Sequence, residues 1–508
     1  MPRIGFVPLD DRPCTKDFPN RIARIAQAQV LLPPTEALGH FLTPGKPHLI
    51  KKWLLEVAHS LDYLILSIDM LTYGGLIGSR TPVVTKEEAF QYLAILQKLK
   101  EINPKMQIYA WNVLMRISIT VHDNLTAQYW EQMNRFSVLW AQDQKGTLTD
   151  EERDLFTRLQ GEIPFTVQDT YFKARERNHQ VNQHAIELVE RGIIDTLILC
   201  QEDAHPIGPH KLEQERLLQK ITSGDLNEKI FLHPGADESG LNLLARAFCN
   251  FYGQTPTIKL DFYPEQARDS VPIFEDVPLG ESVVSHSLAS GLKVNGEKPV
   301  LWGAVYGPNE TAQGLEVWQQ KEVQSLPEAI LEDLWKATIS ESQSGIDPIL
   351  FDVRTPNGSD PTLLKFLQGK DSTLLASYAG WNTAGNTIGT ALAHGIIYNI
   401  AKSTGNLDKK AQLEFLVERF LDDYAYQKII RDELGELILQ NPQWGTRHQL
   451  NSEGWEWLNT LVQERLQSWA DDYLKQYNLP SVVVTASLPW PRIFEVKVQV
   501  QLQRELKT

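Results

Sequence analysis

Adjacent carboxylates mark the part of the sequence where acid–base chemistry is most readily placed. Asp237 and Glu238 stand between an apolar strand-like run and a helical run that begins near Gly240. Two carboxyl groups in unequal surroundings bind protons at different pH values, so they can divide the roles of acid and base. Asp203 follows the preceding strand-like run. We predict that Glu238, Asp237 and Asp203 are catalytic. The alternative is an acidic pair that only stabilises a helix N-terminus.

Polar residues follow most of the other strand-like runs. In parallel α/β folds the carboxyl ends of the strands meet at one edge, so residues distant in sequence come together there. We predict that one pocket at this edge binds the substrate through Asp10, Asp11, Arg12, Asp69, Asn112, Arg116 and Glu202. For Asp10, Asp11 and Arg12, the alternative is an internal salt bridge that fixes the turn before Pro13.

A later strand-like run leads into a segment of aromatic and amide residues. Aromatic rings stack on the faces of sugars, and asparagine side chains hydrogen-bond to hydroxyl or amide groups. We therefore predict that Tyr378, Trp381 and Asn382 bind substrate, with Thr383 and Asn386 beside them. The alternative is a capped helix that packs closely against a strand through its glycines.

A metal site at Asp203, His205 and His210 is the second hypothesis. An Asp-x-His pair with a further histidine offers ligands that zinc and manganese accept. The five-residue spacing of the histidines, interrupted by two prolines and a glycine, fits no helical metal motif, so we favour a substrate-binding or acid–base role for Asp203. We expect neither a metal nor a cofactor. The glycines after the third strand-like run match no dinucleotide or P-loop fingerprint.

The segment His233-Pro-Gly-Ala-Asp-Glu resembles the His-x-Gly-Gly-Asp-Glu motif of the β-N-acetylhexosaminidases, which are TIM-barrel glycosidases. It departs from that motif at Ala236, and it follows the sixth strand-like run instead of the fourth. The resemblance implies that Glu238 protonates the leaving oxygen. It also implies that Asp237 orients the acetamido group of the substrate, which acts as the nucleophile.

The elements that must position these residues alternate along the chain. The strand-like runs are 3–8, 29–32, 63–68, 107–114, 196–200, 229–233, 257–262, 300–306, 348–353, 374–378, 481–485 and 494–502. Helical periodicity between them indicates a parallel sheet with right-handed crossovers. We predict an α/β fold whose N-terminal domain is a TIM-like barrel or a related parallel α/β domain. An open doubly wound sheet is the alternative.

Three regions are predicted. Residues 1–265 form the parallel α/β, barrel-like domain, with a helical insertion at 123–164. We predict that this insertion is a cap or a lid. Residues 266–402 form a second, smaller α/β region, and residues 403–508 form a mainly helical C-terminal region with terminal strands.

Composition narrows the class of protein. The net charge of −15 disfavours binding to nucleic acid. Without an apolar run of about 18 residues, no membrane span is expected. The three cysteines fit a reducing compartment, and no leader-like segment is recognised at the start, so we expect a cytoplasmic protein.

Several motifs together resemble one bacterial family that is catalogued as a domain of unknown function. They are PLDDRP, the Gly74–Arg80 run, Glu202-Asp203, Gly-Ala-Asp-Glu, Asn-Gly-Ser-Asp and Gly-Trp-Asn-Thr-Ala-Gly-Asn. The likeness runs from about Pro2 to Arg492 and implies one integrated architecture. The function we expect is hydrolysis of an amino sugar or a related small glycoside. The alternatives are a metal-dependent hydrolase that uses Asp203, His205 and His210, or a non-catalytic protein that binds a small ligand.

Overall fold

A computed structural model describes residues 1–121, 124–310 and 326–503. The first sheet has six strands: β1 (Ile4–Val7), β2 (Val30–Leu31), β3 (Tyr63–Ser67), β4 (Gln107–Leu114), β5 (Thr196–Gln201) and β6 (Ile230–Pro234). Their order across the sheet is β2-β1-β3-β4-β5-β6, and every neighbouring pair is parallel.

The second sheet has five parallel strands. They are β7 (Thr257–Tyr263), β8 (Lys293–Val294), β9 (Leu301–Tyr306), β10 (Asp347–Asp352) and β11 (Ser377–Ala379). Their order is β11-β10-β9-β7-β8. Strand β7, which the sequence analysis placed at the end of the first region, therefore pairs within the second sheet.

The first sheet is open. Strands β2 and β6 form its edges, and no pairing joins them within the described residues. The next strand in sequence, β7, pairs with β9 and so does not extend the first sheet past β6. The prediction of a parallel α/β fold is confirmed. Barrel closure is not observed, and the open-sheet alternative describes this part of the chain.

Both faces of the first sheet are buried, which explains why its strands read as continuous apolar runs. In β3, Tyr63 and Ile65 point into one hydrophobic core, whereas Leu64 and Leu66 point into another. The first of these cores also contains residues of the second sheet, such as Phe351. The two sheets thus share a core.

The helices cover these sheets and build the C-terminal region. They are α1 (Pro13–Lys16), α2 (Phe18–Ile25), α3 (Pro47–Val57), α4 (Ile68–Tyr73), α5 (Leu76–Ser79), α6 (Lys86–Leu93), α7 (Ile95–Ile102), α8 (Asn124–Lys145), α9 (Asp150–Glu162), α10 (Phe165–Glu190), α11 (Pro209–Ser223), α12 (Ser239–Phe251), α13 (Leu279–Ala289), α14 (Glu328–Gln343), α15 (Pro361–Leu367), α16 (Ala384–Thr404), α17 (Lys409–Arg419), α18 (Arg431–Gln440) and α19 (Ser452–Tyr473). Helices α8 and α9 lie within the predicted insertion at 123–164, whose first residue, Asp123, lies outside the described residues. None of the described helices combines the length and apolar character that a membrane span needs.

The C-terminal region is helical, as predicted, and its last two strands pair as a hairpin. A π-helical segment (Phe420–Ile430) joins α17 to α18, and a short hairpin of β12 (Gly445–Thr446) and β13 (Gln449–Leu450) precedes α19. The final hairpin pairs β14 (Val482–Ser487) with β15 (Lys497–Leu502) in antiparallel register. It is fixed to α17, because Val500 N–H donates to Glu418 Oε1 at 3.1 Å.

Candidate functional site

A cleft of about 540 Å³ lies where the carboxyl ends of the two parallel sheets face each other. Its lining includes residues that follow β1, β3, β4, β5 and β6 of the first sheet and residues that follow β7, β10 and β11 of the second. The predicted site residues that the structure brings together here are Asp10, Arg12, Arg116, Glu202, Asp203, Asp237 and Asn382. Thr383 and Asn386, expected beside Asn382, line it too.

Arg12 is the centre of one charged group on the cleft wall. Its Nε donates to Asp10 Oδ2 at 2.9 Å, while Nη1 and Nη2 donate to the two carboxylate oxygens of Asp237 at 3.2 and 2.6 Å. Burial raises the pKa of Asp237, and the charge of Arg12 opposes that shift. The internal Asp10–Arg12 bridge considered from the sequence is therefore present, and the same residues also line the cleft.

A second charged group is formed by residues that follow β3, β4 and β5. Arg80 pairs with Glu202, and Arg116 Nη2 lies 3.0 Å from Asp203 Oδ2. The Asp203 side chain is 26% exposed, compared with 10% or less for the other cleft carboxylates. Asp203 is thus the most exposed of the cleft carboxylates.

The loop between β14 and β15 supplies a wall that the sequence analysis did not predict. Trp490 lines the cleft, and the guanidinium groups of Arg12 and Arg492 lie 5.3 and 4.6 Å from its ring centre. The indole N–H of Trp490 donates to Asp11 Oδ1 at 2.7 Å. Asp11 therefore positions Trp490 from behind. The available signal was the SLPWPR segment, where an aromatic residue and a cation stand in a proline-rich loop.

Three other predicted binding residues lie behind the wall. Asn112 is fully buried and donates to Asn182 Oδ1 at 2.8 Å. Tyr378 is fully buried, and its hydroxyl lies 3.3 Å from Asp352 Oδ2. Trp381 lines a small crevice beside the cleft. The structure does not bring these three into the cleft, because their side chains turn into the core at the strand ends.

Asp69, also predicted to bind substrate, is buried after β3 and accepts a hydrogen bond from Val113 N–H at 3.0 Å. Burial raises its pKa from 3.8 to about 7. Between about pH 4 and pH 7 the folded chain keeps a proton on Asp69 that the unfolded chain has released. The contribution of Asp69 to the free energy of unfolding therefore falls as pH rises through this range.

We expect Asp69→Asn to remove that pH dependence. The free energy of unfolding of the wild type minus that of the variant should be larger at pH 4 than at pH 8 by on the order of 3 kcal/mol. Urea unfolding of both proteins at the two pH values would measure this difference. Glu87→Gln, at an exposed position, is the control and should leave the pH dependence unchanged. A difference of the opposite sign would contradict the burial argument.

Glu238, predicted as the general acid, has no exposed surface and does not line the cleft. Its Oε2 accepts hydrogen bonds from Ala236 N–H at 2.9 Å and from Asn386 Nδ2 at 2.6 Å. Its Oε1 lies 3.2 Å from His286 Nε2. Because Ala236 and Asn386 do line the cleft, Glu238 supports the wall from behind. Direct proton transfer from Glu238 to a substrate does not fit this position.

Two glycines make room for the Glu238 side chain. A Cβ atom on Gly389 would lie 2.2 Å from Glu238 Cγ, and one on Gly235 would lie 2.0 Å from Glu238 Oε1. Helix α16 can therefore approach α12 closely only because position 389 has no side chain.

We expect Gly389→Ala to destabilise the fold by about 1–3 kcal/mol, because the added methyl group overpacks this contact. Gly161→Ala is the matched control. Position 161 lies inside α9 with nothing within 4 Å of the added Cβ, so alanine there should stabilise by about 0.5–1 kcal/mol. Urea midpoints measure both changes, and an unchanged midpoint for Gly389→Ala would contradict the close packing.

The histidines of the metal hypothesis do not converge with Asp203. His210 Nε2–H donates to the backbone carbonyl of His205 at 2.8 Å, and Asp203 pairs with Arg116. Across the described ranges, the cluster of potential ligand atoms is a different one, formed by His233, Glu238 and His286. In the sequence, His233 stands only at the start of the hexosaminidase-like motif, and no local pattern predicts a role for His286.

Comparison with known proteins gives one positive result. Residues 4–499 match the model of a family described as "Protein of unknown function (DUF4127)". No curated protein and no solved structure is significantly similar to the chain.

Proposed function

The chain belongs to the DUF4127 family of proteins of unknown function, and from that premise we propose that the cleft binds and hydrolyses a small, uncharged glycoside. The amino sugar that the hexosaminidase-like motif implies is our first choice for the sugar. Asp237 and Asp203 are the proposed reacting carboxylates.

The balance of charge in the cleft carries this proposal. Among the described residues, the ionic side chains that line it are four arginines and four carboxylates: Arg12, Arg80, Arg116, Arg492, Asp10, Glu202, Asp203 and Asp237. Each guanidinium already has a carboxylate partner. An anionic ligand would have to displace such a partner. The hydroxyl groups of a sugar, in contrast, can donate to the carboxylates and accept from the guanidinium groups without changing the net charge of the cleft.

Aromatic and amide side chains complete this surface. Trp130, Phe274, Trp490 and Phe494 contribute rings to the lining, and Asn357, Asn382 and Asn386 contribute amides. Sugars present an apolar C–H face for stacking and polar hydroxyl edges for hydrogen bonding, so both kinds of group have a partner. Of the aromatic and amide residues that supported the carbohydrate hypothesis in the sequence, Asn382 and Asn386 line the cleft, whereas its rings come from other residues.

An apolar pocket next to the cleft suggests where an aglycone would lie. It has a volume of about 370 Å³ and shares Ile77, Arg80, Ile119 and Thr120 with the cleft. The rest of its lining is mostly apolar and includes Leu42, Met115 and Val167. We therefore expect substrates with an aryl or alkyl aglycone to bind better than free sugars.

Hydrolysis would use the two carboxyl groups in complementary roles. One protonates the glycosidic oxygen as its bond to the anomeric carbon breaks, and the other assists the group that attacks that carbon. Water supplies the oxygen of the new hydroxyl group, and the aglycone leaves as an alcohol or phenol. Asp10 and Glu202 would hold Arg12 and Arg80 in place around the bound sugar.

The test is an activity screen with aryl glycosides, weighted toward N-acetylamino sugars, combined with thermal-shift measurements on the same compounds. Turnover of at least one glycoside supports the proposal, and octyl glycosides should then bind more tightly than methyl glycosides of the same sugar. Stabilisation by a glycoside without product would favour a binding protein instead. If no compound in the panel is hydrolysed and none stabilises the protein, the carbohydrate assignment is rejected.

A further inference from the structure

Three side chains behind the cleft bring ligand-type atoms together inside the protein. His233 lies on β6, Glu238 directly precedes α12, and His286 lies on α13. One ligand atom from each of them lies within 4.8 Å of the others, and all three residues are buried. The imidazole ring centres of His233 and His286 are 3.8 Å apart.

The hydrogen bonds of the two imidazoles fix which nitrogen carries the proton. His233 Nδ1 lies 2.8 Å from the carbonyl oxygen of Pro234, and His286 Nδ1 lies 2.8 Å from that of Ser282. A carbonyl oxygen only accepts, so Nδ1–H donates in both rings. In neutral imidazoles, Nε2 then has a free lone pair, and this arrangement of Nδ1–H on a backbone carbonyl is common in metal-binding histidines.

Neither lone pair faces an N–H donor among the residues that the structure describes. His286 Nε2 faces a carboxylate oxygen, Glu238 Oε1, at 3.2 Å. His233 Nε2 is buried without a hydrogen-bond partner in the described part of the chain. Buried acceptors that face one another are unfavourable unless a proton, a water molecule or a cation lies between them.

Glu238 is held so that one oxygen stays available. Ala236 N–H and Asn386 Nδ2 both donate to Oε2, which leaves Oε1 directed at His286. Gly235 and Gly389 leave the space that the carboxylate occupies. The second oxygen is therefore oriented by the protein in the way that metal-binding carboxylates usually are.

We propose that His233 Nε2, Glu238 Oε1 and His286 Nε2 bind one divalent first-row transition-metal ion, with Zn²⁺ as the best match. Two imidazole nitrogens and one carboxylate oxygen form a ligand set that zinc accepts. The ion would join β6 and the start of α12 to α13, which lies between two strands of the second sheet in the chain. Through Ala236 and Asn386 it would also fix the cleft wall, so it positions cleft residues and does not contact the substrate.

Metal analysis of the full chain tests this assignment. The protein is produced without a polyhistidine tag in medium supplemented with Zn²⁺, desalted, and analysed by inductively coupled plasma mass spectrometry. We expect about one zinc ion per chain in the wild type and less than about 0.1 in His233→Asn and His286→Gln. The melting temperature of the two variants should also fall.

His210→Gln and His394→Gln are matched controls, because both replace a fully buried histidine outside the cluster. They should keep the zinc. Zinc lost from His210→Gln but kept by His286→Gln would overturn the proposal and favour the Asp203, His205 and His210 set. A wild type with less than about 0.1 zinc per chain would overturn it as well, and would indicate a proton shared by Glu238 and His286.

X-ray absorption at the zinc edge keeps the proposal testable even if the histidine variants do not fold. The wild-type spectrum should show imidazole nitrogen and oxygen neighbours at about 2.0–2.2 Å. A sulfur neighbour at about 2.3 Å would place the ion elsewhere, since Cys14, Cys200 and Cys249 lie outside the ligand set. This test does not depend on any glycosidase activity.

Discussion

Asp237→Asn is expected to lower kcat by about 10²–10⁴-fold on whichever aryl glycoside the wild-type protein hydrolyses. The asparagine side chain has almost the same shape, and its oxygen can still accept a hydrogen bond from Arg12. It can carry neither the transferable proton nor the negative charge of a carboxyl group. Asp203→Asn should have an effect of similar size, because Asp203 is the other proposed reacting carboxylate. Steady-state kinetics of the purified variants would measure both losses.

Asp195→Asn is the matched control for this loss of turnover. Asp195 directly precedes β5, at the opposite end of the sheet from the cleft, where it pairs with Lys100 and accepts from Ile108 N–H. The same chemical change there should leave kcat within about twofold, because no transition-state interaction is removed. If Asp237→Asn retained more than about a tenth of the wild-type kcat, Asp237 would not be a reacting group.

Arg12→Met is expected to destabilise the fold by about 3–5 kcal/mol, the usual cost of removing one partner of a buried ion pair. The variant keeps the apolar stem of the side chain but leaves Asp10 and Asp237 without their cation. It also removes the guanidinium group from the face of Trp490. Urea unfolding at pH 7 would measure the change as a shift of the midpoint.

The matched control is Arg465→Met. Arg465 forms its ion pair with Glu433 at the surface, where both side chains are at least 38% exposed. Solvent screens such a pair, so its loss should cost less than about 1 kcal/mol. Equal shifts for Arg12→Met and Arg465→Met would mean that the Arg12 group contributes no more than a surface pair does.

Much of the fold could be predicted because apolar periodicity is a local property. The strands around Tyr63–Ser67 and Gln107–Leu114 are buried on both faces and therefore read as unbroken apolar runs. The cleft could be anticipated for a similar reason. In a parallel sheet, residues such as Arg116 and Asp203 follow neighbouring strands and must appear at the same edge.

Strand order and side-chain direction could not be read in the same way. Whether β7 pairs with β6 or with β9 depends on contacts between distant segments, so barrel and open sheet looked alike in sequence. Asp69 and Asp203 both follow a strand, yet one turns into the core and the other toward the cleft. His286 lies 48 positions after Glu238 on a helix, and nothing local marks it as a neighbour.

The hydrogen bond from Trp490 to Asp11 joins residues 479 positions apart. At about 5–20 residues per second, a ribosome takes on the order of half a minute to a minute and a half to synthesise the chain between them. During that time the strand ends of the first sheet can form, but the Trp490 wall does not yet exist. A complete cleft therefore appears only after Trp490 has been synthesised, and ligand binding by a nascent chain is delayed until the hairpin of β14 and β15 has docked.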